Sequence, residues 1–452
     1  MTRIHRTKAA WCWLLLGVLC VLGGRVQAQE DENEALVQMV VELVGDADRD
    51  MRALGLQQIR EEVPGEAATK RFAELVPTLG PEGQAALLEA LGDRGDPAAR
   101  PVVLDMLQAE QEPVRAAALR ALGPLGTVED VAALMGKAAE GSDLEKQAAR
   151  QALVRLKGDD VNQAVVAAMS KGKPGAKVEL LGVLAARNAK EALPTVMESV
   201  ADADPAVRLA ALGALRYLAD EKNAAGIVGL VKGAKDDAER RKAELALLMV
   251  CTRGGPSCAE PIIAGLGDAN EPARIALLHA LARTGGPKAL EAVVARLQDD
   301  DEAVRDEAVR ALSVWRDPAV KPHLLTLAKE SKRERHQVLA VRGLVRLARA
   351  QEEKPADLAG LTEAMGLAKR PGERRLVLGA LADVASAESL ALAADALGDR
   401  AVAEEACFAT VMIAEEMEDG NKDEVRAAMQ KVLRYATNGD VRARAEKRLA
   451  SP

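Results

Sequence analysis

The chain has 452 residues, of which 49% are hydrophobic but only 2% aromatic, and its formal net charge is -8. A core of Ala, Leu and Val without aromatic rings suits closely packed helices with small side chains at their contacts. The acidic balance argues against a general electrostatic grip on nucleic acid, which needs many Lys and Arg contacts to phosphate.

The first element is a targeting segment. Arg3, Arg6 and Lys8 precede the apolar run AAWCWLLLGVLCVLGG (9–24), which is followed by RVQA and the acidic QEDENE. A basic start, an apolar middle and small residues at Val26 and Ala28 describe a secretory signal peptide over residues 1–28, cleaved after Ala28. The expected localisation is therefore exported, periplasmic or secreted. The alternative is an uncleaved anchor holding the chain to a membrane, although 16 apolar residues are short for a span. Removing residues 1–28 takes away four basic and no acidic residues, so the charge moves from -8 to -12. No later segment is apolar for long enough to predict a membrane span.

From there a phrase recurs. Aligned on Arg208 in DADPAVRLAALGALRYL (202–218), it places anchors at Arg52, Gln84, Arg115, Lys146, Lys177, Arg208, Arg241, Arg274, Arg305, Gln337, Arg374, Glu405 and Arg442. Most spacings are 31 to 33 residues, and two reach 37 at RAQEEKPAD (349–357) and EEMEDGNKD (415–423), which read as longer loops. Leu, Ile or Met stands seven residues after each anchor, from Ile59 to Leu449, which places it on one helical face with the small residues three and four after the anchor. A second apolar-periodic segment lies between successive phrases, as in EALPTVMESVAD (191–202) and ALEAVVARLQDD (289–300). Each repeat thus reads as helix, turn, helix, with no strand signal. One hairpin cannot bury its own apolar face, whereas stacked neighbours can.

The phrases EPVRAAALRAL, PAVRLAALGAL, EPARIALLHAL and EAVRDEAVRAL resemble HEAT repeats, of the short type also seen in phycobilisome lyases. The expectation is an all-α fold: an α-solenoid of about thirteen helix–turn–helix repeats, one continuous array over residues 29–452. The resemblance specifies a fold and says little about an activity.

Four residues before the anchor, Asp48, Ser142, Asp204, Asp237, Asn270, Asp301 and Asn438 are good N-cap residues, and Pro113, Pro205 and Pro272 stand near helix starts. The anchor then falls in the first helical turn, where the macrodipole disfavours a cation, so a recurring Arg needs a local partner. The caps and turn carbonyls of the same or the next repeat are the expected partners. The resemblance implies the same ladder, made here by Asp48, Arg52, Arg115, Asp204, Arg208, Arg241, Asn270, Arg274, Asp301 and Arg305. An active site requires one unique constellation, and this arrangement is repeated.

Residues of the second helices that point away from the expected core form a different set. On the concave side that solenoids use for binding, Arg216, Tyr217, Lys242, His279, Arg283, Arg310, Arg342 and Arg346 are the candidates for contact with a protein or peptide partner, including an acidic segment. Cys251 and Cys258 flank the turn TRGGPS and form a possible disulfide in an exported chain, and Cys407 sits in the apolar run ACFATVMIA. TRGGPS and RTGGPK occupy the same slot of consecutive repeats and read as turns. There is no HExxH, His/Cys cluster, P-loop or CxxCH, so no metal, cofactor or catalytic residue is expected. The leading expectation is a non-catalytic exported scaffold. The alternatives are an auxiliary factor akin to a phycobilin lyase and a nucleic-acid-binding HEAT-like protein.

Overall fold

Most second helices start where a polar side chain or a proline settles the first turn; Glu334–Ala348 and Ala403–Glu416 have neither. At Pro205–Leu218, Asp204 Oδ1 accepts from the N–H groups of Ala206 (2.8 Å) and Val207 (3.4 Å), while proline at the first position has no N–H to leave unpaired. Asp48, Asn270, Asp301 and Asn438 do the same for their helices, and Ser142 forms a reciprocal capping box with Glu145. The carbonyl of the capping residue then accepts from the N–H four residues on, which is the anchor at Arg52, Arg115, Arg208, Arg274, Arg305 and Arg442 alike.

The computed structural model describes residues 33–61, 63–349, 356–417 and 421–450. The expected signal peptide and cleavage site lie outside these residues, as do the middles of both long loops. The described chain is all-α, with no strand among the described residues. It divides between Leu218 and Ala219 into two compact units. The N-terminal unit holds six helical hairpins, from 33–44 with Arg49–Glu61 to Leu193–Ser199 with Pro205–Leu218. The C-terminal unit holds seven, from Ala224–Lys232 with Asp237–Gly254 to Lys422–Tyr435 with Gly439–Ala450. In each unit second helices pack on second helices in chain order, and the first helices lie beside them as another layer. The fold class is an α-solenoid of helix–turn–helix repeats.

Small residues set the spacing within the second-helix layer. A Cβ placed on Gly92 would lie 2.9 Å from Ala121 Cα of the next second helix, so the two backbones approach closely only with glycine there. The core is otherwise mostly Leu, Val and Ala, with Phe72 and Trp315 as the two fully buried aromatic rings among the described residues. Gly255, Gly285 and Gly286 take positive φ in the turns TRGGPS and RTGGPK.

Two repeats depart from the expected register by one residue. Asp236, rather than Asp237, caps Asp237–Gly254, accepting from Glu239 N–H at 2.8 Å. The anchor position is therefore Arg240, and the fully buried residue seven further on is Leu247. Arg241 consequently points outward with its side chain 76% exposed, so its expected place in the ladder is corrected. The helix Ala403–Glu416 likewise places Ala406 where Glu405 was expected.

Candidate functional site

Five of the repeated arginines, Arg52, Arg115, Arg208, Arg305 and Arg442, turn back onto their own repeat. Arg208 Nη1 donates to the carbonyls of Asp202 (3.0 Å) and Ala203 (2.9 Å), in the turn that joins the two helices. Arg52, Arg115 and Arg305 reach the equivalent pairs of carbonyls, and Gln337 uses its amide on Ser331 in the same way. A second set of bonds runs to the next repeat, from Arg115 to Glu145, Lys177 to Asp202 and Arg274 to Asp299. The Arg115 N–H beside it holds the Glu145 carboxyl down to about 2, with help from Ser142 N–H and Lys137. These cations satisfy turn carbonyls and offset the helix-terminus field.

A further set of arginines, absent from the sequence expectations, works at the opposite helix end. Arg94 donates to Ile59 and Gly65 carbonyls, Arg187 to Leu153, Val154 and Leu156, Arg253 to Ala219, and Arg448 to Ala414 and Met417. Each comes from the last turn of a second helix and holds the C-terminal carbonyls of the preceding second helix or the turn after it. Arg346 belongs with them. It bonds Ser313 and Trp315 carbonyls, and burial lowers its pKa. It thus has a place in the stack beside its expected one among the partner-contact candidates. The available signal was a cation in the last turn, where the dipole favours it.

The other partner-contact candidates are distributed over both units. At the end of the N-terminal unit, the half-buried Arg216 places its guanidinium 5.5 Å from the ring centroid of Tyr217, which is 56% exposed. In the C-terminal unit, Lys242, Arg283 and Arg342 are exposed and make no ion pair among the described residues. His279 sits between carboxylates of the repeats on either side, with Nδ1 2.5 Å from Glu244 and Nε2 2.9 Å from Glu307. Those two carboxylates raise its pKa to about 9 against the opposing effect of burial. Arg310 pairs with the same Glu307. The chain Glu244, His279, Glu307, Arg310 thus crosses three consecutive second helices, Asp237–Gly254, Glu271–Thr284 and Glu302–Ser313.

Cys251 and Cys258 are buried free thiols, with Cys258 Sγ donating to the Val250 carbonyl at 3.9 Å, and Cys407 is also free and buried. Burial pushes all three thiols well above the ordinary cysteine range. No group of three or more metal-ligating side chains stands together among the described residues, and none of their helices is long and apolar enough to cross a membrane.

Comparison with known proteins agrees with this geometry. The HEAT-repeat family matches residues 69–154 and 259–344. Among solved structures, the karyopherin Kap121p bound to Ste12p is similar at 13% identity and a TM-score of 0.54, covering 92% of this chain and 53% of that one. Kap121p bound to the extreme C-terminus of the phosphatase Cdc14p gives 14% identity and 0.54 over the same shares. Kap95p in its study with RanGDP gives 15% and 0.51, covering 92% of this chain and 65% of that one. The chain therefore spans between half and two thirds of the length of these structures, and the likeness is one of fold. No curated protein matches the sequence.

Proposed function

We propose that this protein is a non-catalytic scaffold, exported by its N-terminal segment, that holds a protein or peptide on the second-helix face of its C-terminal unit. The observation that carries the reading is a contrast between two sets of cations. The repeated arginines are tied to turn carbonyls or to carboxylates of the next repeat, whereas Lys242, Arg283 and Arg342 stand exposed with no ion pair among the described residues. Side chains that stabilise nothing in the stack are the ones free to recognise something outside it. The structures of Kap121p with Ste12p and with Cdc14p support this use of a HEAT-repeat stack, in which a second chain is bound.

The test reverses Lys242, Arg283 and Arg342 to Glu together and compares proteins captured from the native compartment. Loss of the captured partner, with the helical circular dichroism unchanged, is the expected result. An unchanged set of captured proteins contradicts the reading, as would bilin absorbance or salt-dependent retention on DNA of the purified protein. Export is tested separately by sequencing the mature N-terminus, which should begin at Gln29.

A further inference from the structure

The second-helix face of the C-terminal unit exposes apolar side chains among its cations. Leu245 is 40% exposed, Met249 38% and Val314 57%, all large hydrophobic residues at the surface of the same layer that carries Lys242, Arg283 and Arg342. Helical spacing puts Lys242, Leu245 and Met249 on one stripe of Asp237–Gly254. His279 and Arg283 form the corresponding stripe of Glu271–Thr284, and Arg310 leads to Val314 at the end of Glu302–Ser313. The bonds from His279 to Glu244 and Glu307 fix these three stripes side by side.

The acids on this face are already occupied. Glu244 and Glu307 are held by His279 and Arg310, and Asp306 by Arg333 and His336, each at 2.8 Å. What remains for a partner is positive charge with aliphatic surface between it. Scattered apolar residues on a surface are ordinary, but here Leu245 and Met249 on Asp237–Gly254 and Val314 at the end of Glu302–Ser313 flank a helix that presents the unpaired Arg283 between them.

We infer that this face takes an acidic segment carrying aliphatic side chains, so that carboxylates meet Lys242, Arg283 and Arg342 while the apolar groups cover Leu245, Met249 and Val314. The inference rests on the reading of this unit as a protein-binding stack. Four second helices spaced about 9–10 Å apart span about 28 Å, which about nine residues of extended chain would cross. The charges set the rate and register of docking, and the aliphatic contacts supply much of the affinity.

Fluorescence anisotropy with three labelled nonapeptides tests it on the full mature chain: Glu-Ser-Leu-Ser-Glu-Ser-Leu-Ser-Glu (Glu–Leu), which in extended form presents its Glu and Leu side chains on one face, its counterpart with Lys for Glu (Lys–Leu), and its counterpart with Ser for Leu (Glu–Ser). The Glu–Leu peptide should bind, the Lys–Leu peptide should not, and Glu–Ser should bind about tenfold or more weakly, as the loss of one or two buried aliphatic contacts requires. The double variant Arg283→Glu/Arg342→Glu should lose the Glu–Leu peptide, and Leu245→Ser/Val314→Ser should reduce its affinity to the Glu–Ser level. Binding of Lys–Leu as tight as Glu–Leu, no binding of Glu–Leu, or affinity unchanged in the charge-reversed variant overturns the inference. If it fails while triple charge reversal still releases the captured partner, the surface stands and its assigned chemistry falls. If both fail, the function falls with it.

Discussion

His279 Nε2 lies 2.9 Å from a Glu307 oxygen one repeat further along, while its Nδ1 faces Glu244 one repeat back. Between two carboxylates the ring favours its protonated form, in which both nitrogens donate. A cation links three helices through two carboxylates that would otherwise repel each other.

The sign of its pH dependence follows from the raised pKa. His279 titrates near its ordinary 6.5 when unfolded and at about 9 when folded, so its contribution is fully present below pH 6.5 and lost as pH rises through 9. The ring is 37% exposed, so solvent screening reduces the size of the effect. Thermal melts of the wild type and His279→Gln should differ at pH 6 and converge by pH 10. A difference that is constant with pH would show that the imidazolium does not make this link.

Arg208 and Arg241 align in the sequence phrase, but in the structure Arg240 holds the anchor position, so the two should behave oppositely. Arg208 is 6% exposed and satisfies two turn carbonyls, so Arg208→Ala should cost about 1–3 kcal/mol by leaving them without its hydrogen bonds. Arg241 is outward, and Arg241→Ala should stay within about 0.5 kcal/mol. The caps repeat the contrast. Asp236→Ala should lose about 1 kcal/mol and Asp237→Ala much less. Urea unfolding of the four variants checks this, and equal effects at Asp236 and Asp237 would contradict the one-residue shift.

Arg346 separates structure from recognition. Because it bonds the carbonyls of Ser313 and Trp315, Arg346→Met should lower the unfolding midpoint, while partner capture at a permissive temperature stays intact. Arg342→Met, one turn earlier and exposed, should leave the midpoint unchanged and weaken capture. Paired urea melts and pull-downs decide between the roles, and loss of capture with no change in stability at Arg346 would reverse the assignment.

The cysteines give a chemical prediction. Burial raises the thiols of Cys251, Cys258 and Cys407, so none should react readily with an aromatic disulfide reagent at pH 8 in the native protein. All three should react in denaturant. A count of one in denaturant would mean that Cys251 and Cys258 are joined.

Much of the stack could be read from the sequence because the phrase is periodic and each repeat makes the same demands. Asp204, Pro205 and Leu215 announce a cap, a start and a buried face. The register of Asp237–Gly254 was hidden by runs of like residues, Asp236–Asp237 and Arg240–Arg241, in which either member fits the pattern. In the sequence Arg346 looks like a surface residue, because its partners are backbone carbonyls of a helix thirty residues earlier, and carbonyls leave no mark in a sequence. The Glu244–His279–Glu307 link escaped notice for a related reason: Glu244 and Glu307 are ordinary helix residues until stacking brings them to one imidazole.

The central claim is that the C-terminal unit's second-helix face is where a partner sits. Photo-cross-linkers placed singly at Leu245, Arg283, Val314 and Arg342, with controls at the exposed first-helix positions Glu260, Glu291 and Lys329, test it in the native compartment. The account predicts one partner captured from the first set and absent from the controls, identified by mass spectrometry through an acidic segment. Capture from the controls alone, or from both sets equally, would contradict it.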